Sequence, residues 1–486
     1  MIIGRGLLEA GVTRYLIGID NGSQSTKVSV FDERGKVVCE GRQALRPNDT
    51  PRPGVVEHPD DDIWFSIGEA SRRAMAAFPG EVADIVGVGL CTIRFCRALL
   101  KSDGSLASPV MSWMDARVSR FHEPGNPEVA YVTTSSGYIS HRMTGQFKDT
   151  AANYAGVWPI SSDRWEWLRD DEGFSKFQIR RDMLFELVMP GDVLGHVTAE
   201  ASRHTGIPAG LPVFATSNDK AVEALGCGLR SSETLLVSLG TYTASMTTGQ
   251  RNITDAASFW SNFASIPHRY LYESYGIRRG MWTVSWWRDL LGEQARSAAR
   301  NQGLAVEQYL DLEAEKVPPG SDGLMVILDW LAPTEAPFKK GSIVGFDVRH
   351  GRFHIYRAIL EGIALTIYRC GTAMGKETGD TYERIVVSGG GSNSDVFMHI
   401  FADVFGIPAV RSKMNNAAGL GSAICAAVGQ GMYSSWDEAI EHMVSWEPPF
   451  VPDKANHELY QAMSAIYDDV PGLTDKIFER SFKIFD

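Results

Sequence analysis

A disulfide framework is missing from this chain. Its 486 residues include six cysteines, Cys39, Cys91, Cys96, Cys227, Cys370 and Cys425. They are scattered, mostly inside apolar runs, with no C-x-x-C pair and none of the dense spacing of a secreted disulfide scaffold. They read as reduced core residues. No run of about 18 apolar residues occurs, so no membrane-spanning helix is expected. The opening MIIGRGLLEAGVTR has too short an apolar core and no small-residue cleavage pattern for a signal peptide. A cytoplasmic location is the natural expectation. Positive charge is scarce as well: 47 Lys and Arg stand against 59 Asp and Glu, a formal net charge of −12. Nucleic acid and anionic membrane both require a positive field, so neither is expected as a partner. A small molecule is the better partner, and a homodimer stays open.

What is present is an ordinary globular composition, 44% hydrophobic and 22% charged. At roughly 100 to 200 residues per domain, the length suggests two large domains or three smaller ones. Strands are expected at 15 to 20, 27 to 32, 36 to 41 and 85 to 90, with a helix over 60 to 77 after EHPDDD. Asp60 to Asp62 fit the positive end of that helix. Strands alternating with helices indicate an α/β architecture. Residues 1 to 13 precede the first strand and read as an extension. The stretch TLLVSLGTYTASMTTG (234 to 249) then repeats the pattern of YLIGIDNGSQSTKVSVFD (15 to 32): apolar strand, glycine, hydroxyl residues, second strand. Such an echo suggests two related domains, 14 to 230 and 231 to 486, divided just before it and joined without a low-complexity linker.

Three segments carry candidate chemistry. In DNGSQSTK, Gly22 and the following hydroxyl residues let backbone N–H groups converge on an anion. Asp20, at the end of its strand, is placed to hold magnesium through water, and Lys27 offers charge to phosphate oxygens. The same residues also make an ordinary tight turn. In LPVFATSNDKAVEALGCG (211 to 228), a strand runs into Asp219 at or beside a helix N-cap. Such a carboxylate is expected to stay ionised and to serve either as a structural cap or as the general base that phosphoryl transfer to an alcohol requires. In ERIVVSGGGSNSDVF (383 to 397), a buried strand meets Gly389 to Gly391 and then a helix. That turn is either structural or the close approach of backbone to a flat nucleotide. NNAAGLGSAICAAV (415 to 428) places small residues at helical spacing, as close packing of two elements requires.

These segments, in this order, resemble the FGGY family of carbohydrate kinases, the glycerol, xylulose, ribulose, rhamnulose and fuculose kinases on the actin-like ATPase fold. GIDNGSQSTK is similar to the first phosphate motif, VEHPDDDIW to the segment before the first long helix, and PVMSWMDAR to the W-x-D-x-R strand. YISHRMTGQFKDTAANYAG is similar to a xylulose-kinase stretch, and SLGTYT to the second phosphate motif. The resemblance runs from Tyr15 to the mid-440s. It implies two actin-like (ribonuclease H-like) α/β domains with an interdomain cleft, ATP and Mg²⁺ as cofactors, and a small sugar, polyol or sugar acid as phosphate acceptor. It further implies Asp219 as the base, with Asp20 and Asp219 favouring the metal. Gly22, Ser23, Gln24, Ser25, Lys27, Gly240 and Thr241 would meet ATP phosphates, and Gly390, Gly391 and Ser394 the adenosine.

Departures from the family bear on the acceptor. Arg94 falls where glycerol kinases have their substrate arginine, yet Phe95 follows where they have glutamate and xylulose kinases have histidine. A phenyl ring accepts no hydrogen bond, so polyol recognition here differs. Trp113 keeps the apolar wall of the glycerol kinases. Lys220, beside Asp219, pairs with it, turns outward, or, together with Arg94, binds a sugar acid. Only residues 118 to 137 separate MDAR from YISHRMTG, much less than in xylulose kinases, which implies a more open pocket. Trp282, Trp286 and Trp287 mostly share one helix face and serve packing or, alternatively, carbohydrate stacking. Two rivals differ in chemistry. An ATPase of the same fold would use Asp219 to position water. A nonenzymatic sensor would have no reason to keep Asp20, Asp219 and Thr241.

Overall fold

A computed structural model describes residues 13–485 apart from Thr334 and Asn415, and apart from the side chain of Glu172. The expected extension at 1–13 therefore lies outside the described residues except for Thr13. The first hairpin, Tyr15–Asn21 with Ser25–Asp32, lies inside a six-stranded sheet. Val37–Ala44 joins it antiparallel on one side, while Ile85–Thr92 and then Pro212–Ala215 join parallel on the other. Val193–His196 closes that edge antiparallel. Leu16 packs toward one core and Ile17 and Ile19 toward another, so the strand is apolar throughout because both of its faces are covered.

The second sheet repeats this order. The hairpin Thr234–Leu239 with Thr243–Gly249 takes Tyr270–Ser274 antiparallel on one side and Arg384–Ser388, then Ala409–Arg411, parallel on the other. Its sixth strand, Phe259–Phe263, lies beyond Tyr270–Ser274. Each sheet thus has the same five-strand core with one strand added at opposite edges. The sequence echo is the outward sign of this shared order, a two-domain α/β arrangement.

The helices that cross between the sheets fix their relation. Asp219–Gly226 follows the last parallel strand of the first sheet and packs through Ala221 and Ala224 on Leu236, Leu271 and Val386 of the second. Ala417–Gly429 follows the last parallel strand of the second sheet and returns to the first, where Leu420 and Ile424 pack with Leu16, Phe31 and Phe214. The two helices meet backbone to backbone. A Cβ on Gly421 would lie 1.9 Å from the Val222 carbonyl oxygen, and one on Gly226 would lie 1.9 Å from that of Ala417. A Cβ on Gly18 would lie 2.1 Å from the Gly419 oxygen, so the returning helix also lies directly on the first strand.

Two local expectations are corrected. The helix after EHPDDD spans Asp62–Ala77, and its N-cap, Asp61, accepts no capping bond. Asp60 lies outside the helix at φ 48°. Asp61 and Asp62 do stand at the helix start, as expected, and their carboxylates also meet groups outside it: Asp61 accepts from Tyr138 and Arg142 at 2.5 Å each, and Asp62 from the backbone N and Nε of Arg46. PVMSWMDAR is not a strand beyond a bridge at Met111. Asp115 accepts from the Val56 amide and from the amide and guanidinium of Arg117, and these bonds fold the segment into turns. All six cysteines are free, five of them buried. No described helix is long and apolar enough to cross a membrane.

The helix crossing yields a prediction whose sign is opposite to that of helix propensity. In a free helix Gly421→Ala would be favourable by about 1 kcal/mol. Here the added methyl meets backbone, and overpacking costs about 1 to 3 kcal/mol. Gly421→Ala is therefore expected to lower the thermal unfolding midpoint; a midpoint raised by the substitution would disprove the contact.

Candidate active site

The first hairpin aims its end by simple alternation. Asn21 and Thr26 face inward, where the Asn21 amide donates to Thr26 Oγ1 at 2.7 Å and Thr26 lies 2.6 Å from Ser66 Oγ on the first helix. Their neighbours must then face the other side of the sheet. Asp20 stands opposite Lys27 in the ladder, with Ser25 two residues before Lys27 on the same face. Between the strands Gly22 donates to the Ser25 carbonyl at 3.1 Å, leaving Ser23 and Gln24 exposed at the tip. Ser25 Oγ accepts from Arg42 at 3.2 Å, and Lys27 Nζ lies 3.8 Å from Glu40.

Asp219 arrives from the other side on a pinned turn. Thr216 Oγ1 donates to the Leu90 carbonyl at 2.6 Å, and Ser217 Oγ lies 2.5 Å from Ser265 Oγ of the second domain. Asn218 is the N-cap, accepting from Ala221 N at 3.0 Å, so Asp219 is the first helical residue and not the cap. Its Oδ1 accepts from the Lys220 amide at 2.8 Å and lies 3.5 Å from Arg94 Nε. The helix amide and the cations do not keep its pKa at the ordinary value. Burial raises it, against the pull of Arg94 and Lys220. Burial and the negative charge of Asp219 likewise raise Asp20, to about 7. Cys91, paired with Asp20 in the sheet, is raised by burial and by both carboxylates. Both acids therefore act on Cys91, and Asp219 acts on Asp20, while each carboxylate keeps partial exposure.

The neighbouring cations are already paired. Arg94 Nη1 and Nη2 donate to the two oxygens of Glu273 at 2.7 and 3.0 Å. Glu273 belongs to the second sheet, is fully buried, and also accepts from Trp260 Nε1 at 3.0 Å. Burial alone would raise its pKa; the Arg94 guanidinium outweighs this and holds it below the ordinary value. Lys220 neither turns outward nor puts its ammonium on Asp219. Nζ donates to Glu223 at 2.9 Å and to Ser238 at 2.7 Å, and Ser238 donates back to Glu223 at 2.8 Å. Sequence reasoning missed Glu273, Glu223 and Trp260. Glu273 did leave a signal, a lone acid inside the apolar strand YLYES; Glu223 looked like an ordinary polar position on the helix.

Aromatic rings edge the cleft beside Arg94. Phe95 is 43% and Trp113 49% exposed. The buried Cys96 thiol beside Phe95 lies 3.9 Å from His58 Nε2. Phe95 has φ 63°, a left-handed conformation that a bulky residue adopts only under constraint from its surroundings. The Arg94 guanidinium lies 5.2 Å from the Phe95 ring centroid and 5.8 Å from that of Trp260.

The second hairpin turn carries Gly240 and an exposed Thr241, whose carbonyls accept from Met281 and Gly280. Gly389 takes φ 91°, and a Cβ there would lie 2.4 Å from the Leu239 carbonyl oxygen, so the glycine-rich turn abuts this hairpin. Gly390 has open space where a Cβ would point, while Gly391 packs on Leu239 and Met281. Ser394 caps the helix Asp395–Phe405, accepting from Phe397 N at 3.2 Å. The tryptophans follow on the helix Gly280–Asn301, whose first two residues meet these turns. Trp287 packs on the second domain's core and donates to the Arg352 carbonyl, Trp286 lies 5.1 Å from Trp330, and Trp282 lies under Arg279.

Comparison with known proteins places this geometry. Residues 15–124 match the FGGY family of carbohydrate kinases, N-terminal domain, and residues 235–430 match its C-terminal domain. An uncharacterized sugar kinase of Escherichia coli K12, YgcE, is 49% identical over 472 residues, covering 97% of this chain and 96% of its own length. An autoinducer-2 kinase of Klebsiella pneumoniae is 26% identical over 514 residues, 95% of each chain. The crystal structure of xylulose kinase from Rhodospirillum rubrum superposes with a TM-score of 0.82 at 24% identity, over 96% of this chain and 100% of that one. With both domain matches and a full-length relative at near half identity, this chain belongs to the FGGY family of carbohydrate kinases.

Proposed function

We propose that the protein transfers the γ-phosphoryl group of ATP, with Mg²⁺, to a hydroxyl of a small neutral sugar or polyol, with Asp219 as general base. The observation that carries this reading is that Asp20, at the end of the first glycine–hydroxyl hairpin, and Asp219, at the start of its helix, are near enough for Asp219 to raise the pKa of Asp20, and each is destabilised as an anion. A divalent cation relieves both carboxylates, and magnesium is commonly held by one or two carboxylates together with phosphate oxygens, so this donor set fits the ion. When bound, the metal supplies charge neutralisation at the phosphates.

The chain's own residues divide the remaining work. Gly22 to Ser25 and Lys27 meet the phosphates from the 14–230 domain; Gly240 and Thr241 meet them from the 231–486 domain. Gly390 and Gly391 offer a flat surface to adenosine, at the edge where Ser394 begins its helix. Asp219 takes the acceptor's hydroxyl proton as the new P–O bond forms and the bond to ADP breaks. Its raised pKa suits a base better than an ordinary carboxylate would. Trp113 and Phe95 pack the carbon chain and help exclude water. Arg94 and Lys220 both have carboxylate partners already, which favours a neutral acceptor over a sugar acid.

Three outcomes are expected. In a panel assayed by ADP release, neutral polyols and ketoses turn over faster than aldonates of equal length, and release without an acceptor is slow. Clear preference for an aldonate would reverse the substrate class, and undiminished hydrolysis without sugar would favour the ATPase rival. Asp219→Asn lowers turnover by about 100-fold or more while nucleotide affinity persists; an unchanged rate removes Asp219 from the chemistry. The third concerns Asp20. Its folded pKa of about 7 lies above the ordinary 3.8, so the native state keeps a proton that the unfolded state loses as pH rises. Stability therefore falls across that window and the full penalty applies above it. With chelator present, Asp20→Asn raises the thermal midpoint at about pH 8, and the gain disappears toward about pH 4. A pH-independent difference would show that Asp20 is not strained as an anion.

A further inference from the structure

Outside the cleft, the first domain holds a second cavity of about 370 Å³ beside the strand Arg97–Leu100. Its lining includes Arg97, Arg120, Phe121, His122, Glu123 and Arg180, and none of Asp20, Arg94, Asp219 or Glu273. Arg97 is 3% exposed. Its Nη1 and Nη2 donate to the carbonyls of Arg117 and Arg120 at 3.2 and 2.8 Å, its guanidinium lies 5.4 Å from the Trp158 ring, and its buried Nε has no partner. No described carboxylate forms an ion pair with it. Burial, reinforced by Arg117, lowers its pKa to about 10. An unpaired buried ion is costly by several kcal/mol, and a chain keeps one where something compensates it.

Arg117 is committed to Asp115 and Glu57, and Arg180 to Asp182. Arg120 forms no ion pair among the described residues and is exposed. Glu123 is the one lining carboxylate, also without an ion pair among the described residues. Arg117 and Arg180 meet three acids between them, so the surroundings are close to neutral overall, and the uncompensated positive charge is local to Arg97 and Arg120. His122 is buried, and burial together with Arg97 lowers its pKa, so at neutral pH its ring is uncharged. Among the described contacts the ring makes no hydrogen bond and has one to give.

We propose that this cavity is a second small-molecule site, distinct from the kinase cleft, which binds a compact oxyanion, carboxylate or phosphate, between Arg97 and Arg120 with His122 as a further hydrogen-bond partner. A planar guanidinium matches two oxygens of either group, and the volume suits a ligand of metabolite size. Most of the lining, from Arg117 to Val129, follows in sequence on the turn bearing Trp113. The inference does not depend on which acceptor the kinase uses.

Calorimetric titration of inorganic phosphate and of malonate, each with and without saturating MgADP, tests it. Binding is expected for at least one of the two, at one equivalent, and persists with MgADP; the tighter anion identifies the group. Arg120→Ala, on an exposed side chain and outside the catalytic set, weakens that binding by about tenfold or more, as loss of a hydrogen bond to a charged group requires. Arg97→Gln weakens it further. No binding of either anion at millimolar concentration, complete displacement by MgADP, or binding indifferent to Arg120→Ala would each overturn the proposal.

Discussion

Two helices that cross with no side chain between them set the geometry on which the rest depends. Asp219–Gly226 and Ala417–Gly429 touch through backbone at Gly226 and Gly421, and the second of them lies on the first strand at Gly18. Each helix belongs by chain order to one sheet and packs on the other. Because Asp219 begins one of these helices and Asp20 ends the strand under the other, the distance between the carboxylates is set by glycine contacts some way from either. Close-packed interiors transmit small displacements instead of absorbing them, so the position of the acid pair is a property of the whole junction.

Around that junction, charge is distributed unevenly. Glu273 takes Arg94 and Glu223 takes Lys220, each pair largely removed from water and reinforced by further donors. These pairs leave Asp20 and Asp219 with attraction insufficient to offset their burial, and both remain poor anions. The result is a pair of carboxylates whose charge is left less compensated than that of Glu223 and Glu273 beside them. Such an arrangement stabilises little by itself. Under the proposed function, its value lies in what it would do to a bound cation and to the proton on an approaching hydroxyl.

Local patterns were readable from the chain and long-range partners were not. Both hairpins, the glycine-rich turn and the small-residue helix each declare themselves within about twenty residues, because strand alternation, turn chemistry and close packing have local signatures. Asp20 and Asp219 follow from their places in those patterns. The fate of Lys220 does not: helix geometry makes Glu223 a neighbour, but Ser238 comes from another sheet. Glu273 is farther still, 179 residues from Arg94, and nothing near Arg94 announces it. PVMSWMDAR looked like a strand because its apolar start resembles one, whereas Asp115 had partners on Val56 and Arg117 that bend it into turns. Asp60 to Asp62 resembled helix-start acids, and Asp61 and Asp62 do stand there, but Arg46 and Arg142 pair with all three.

Arg94 and Glu273 join opposite domains through a buried bidentate pair. Neither can be replaced singly without stranding its counterpart's charge away from water, where the penalty far exceeds what the pair contributes while whole. Descendants of this chain can therefore vary the exposed rings of Phe95 and Trp113 one residue at a time, but positions 94 and 273 must change together or stay as they are.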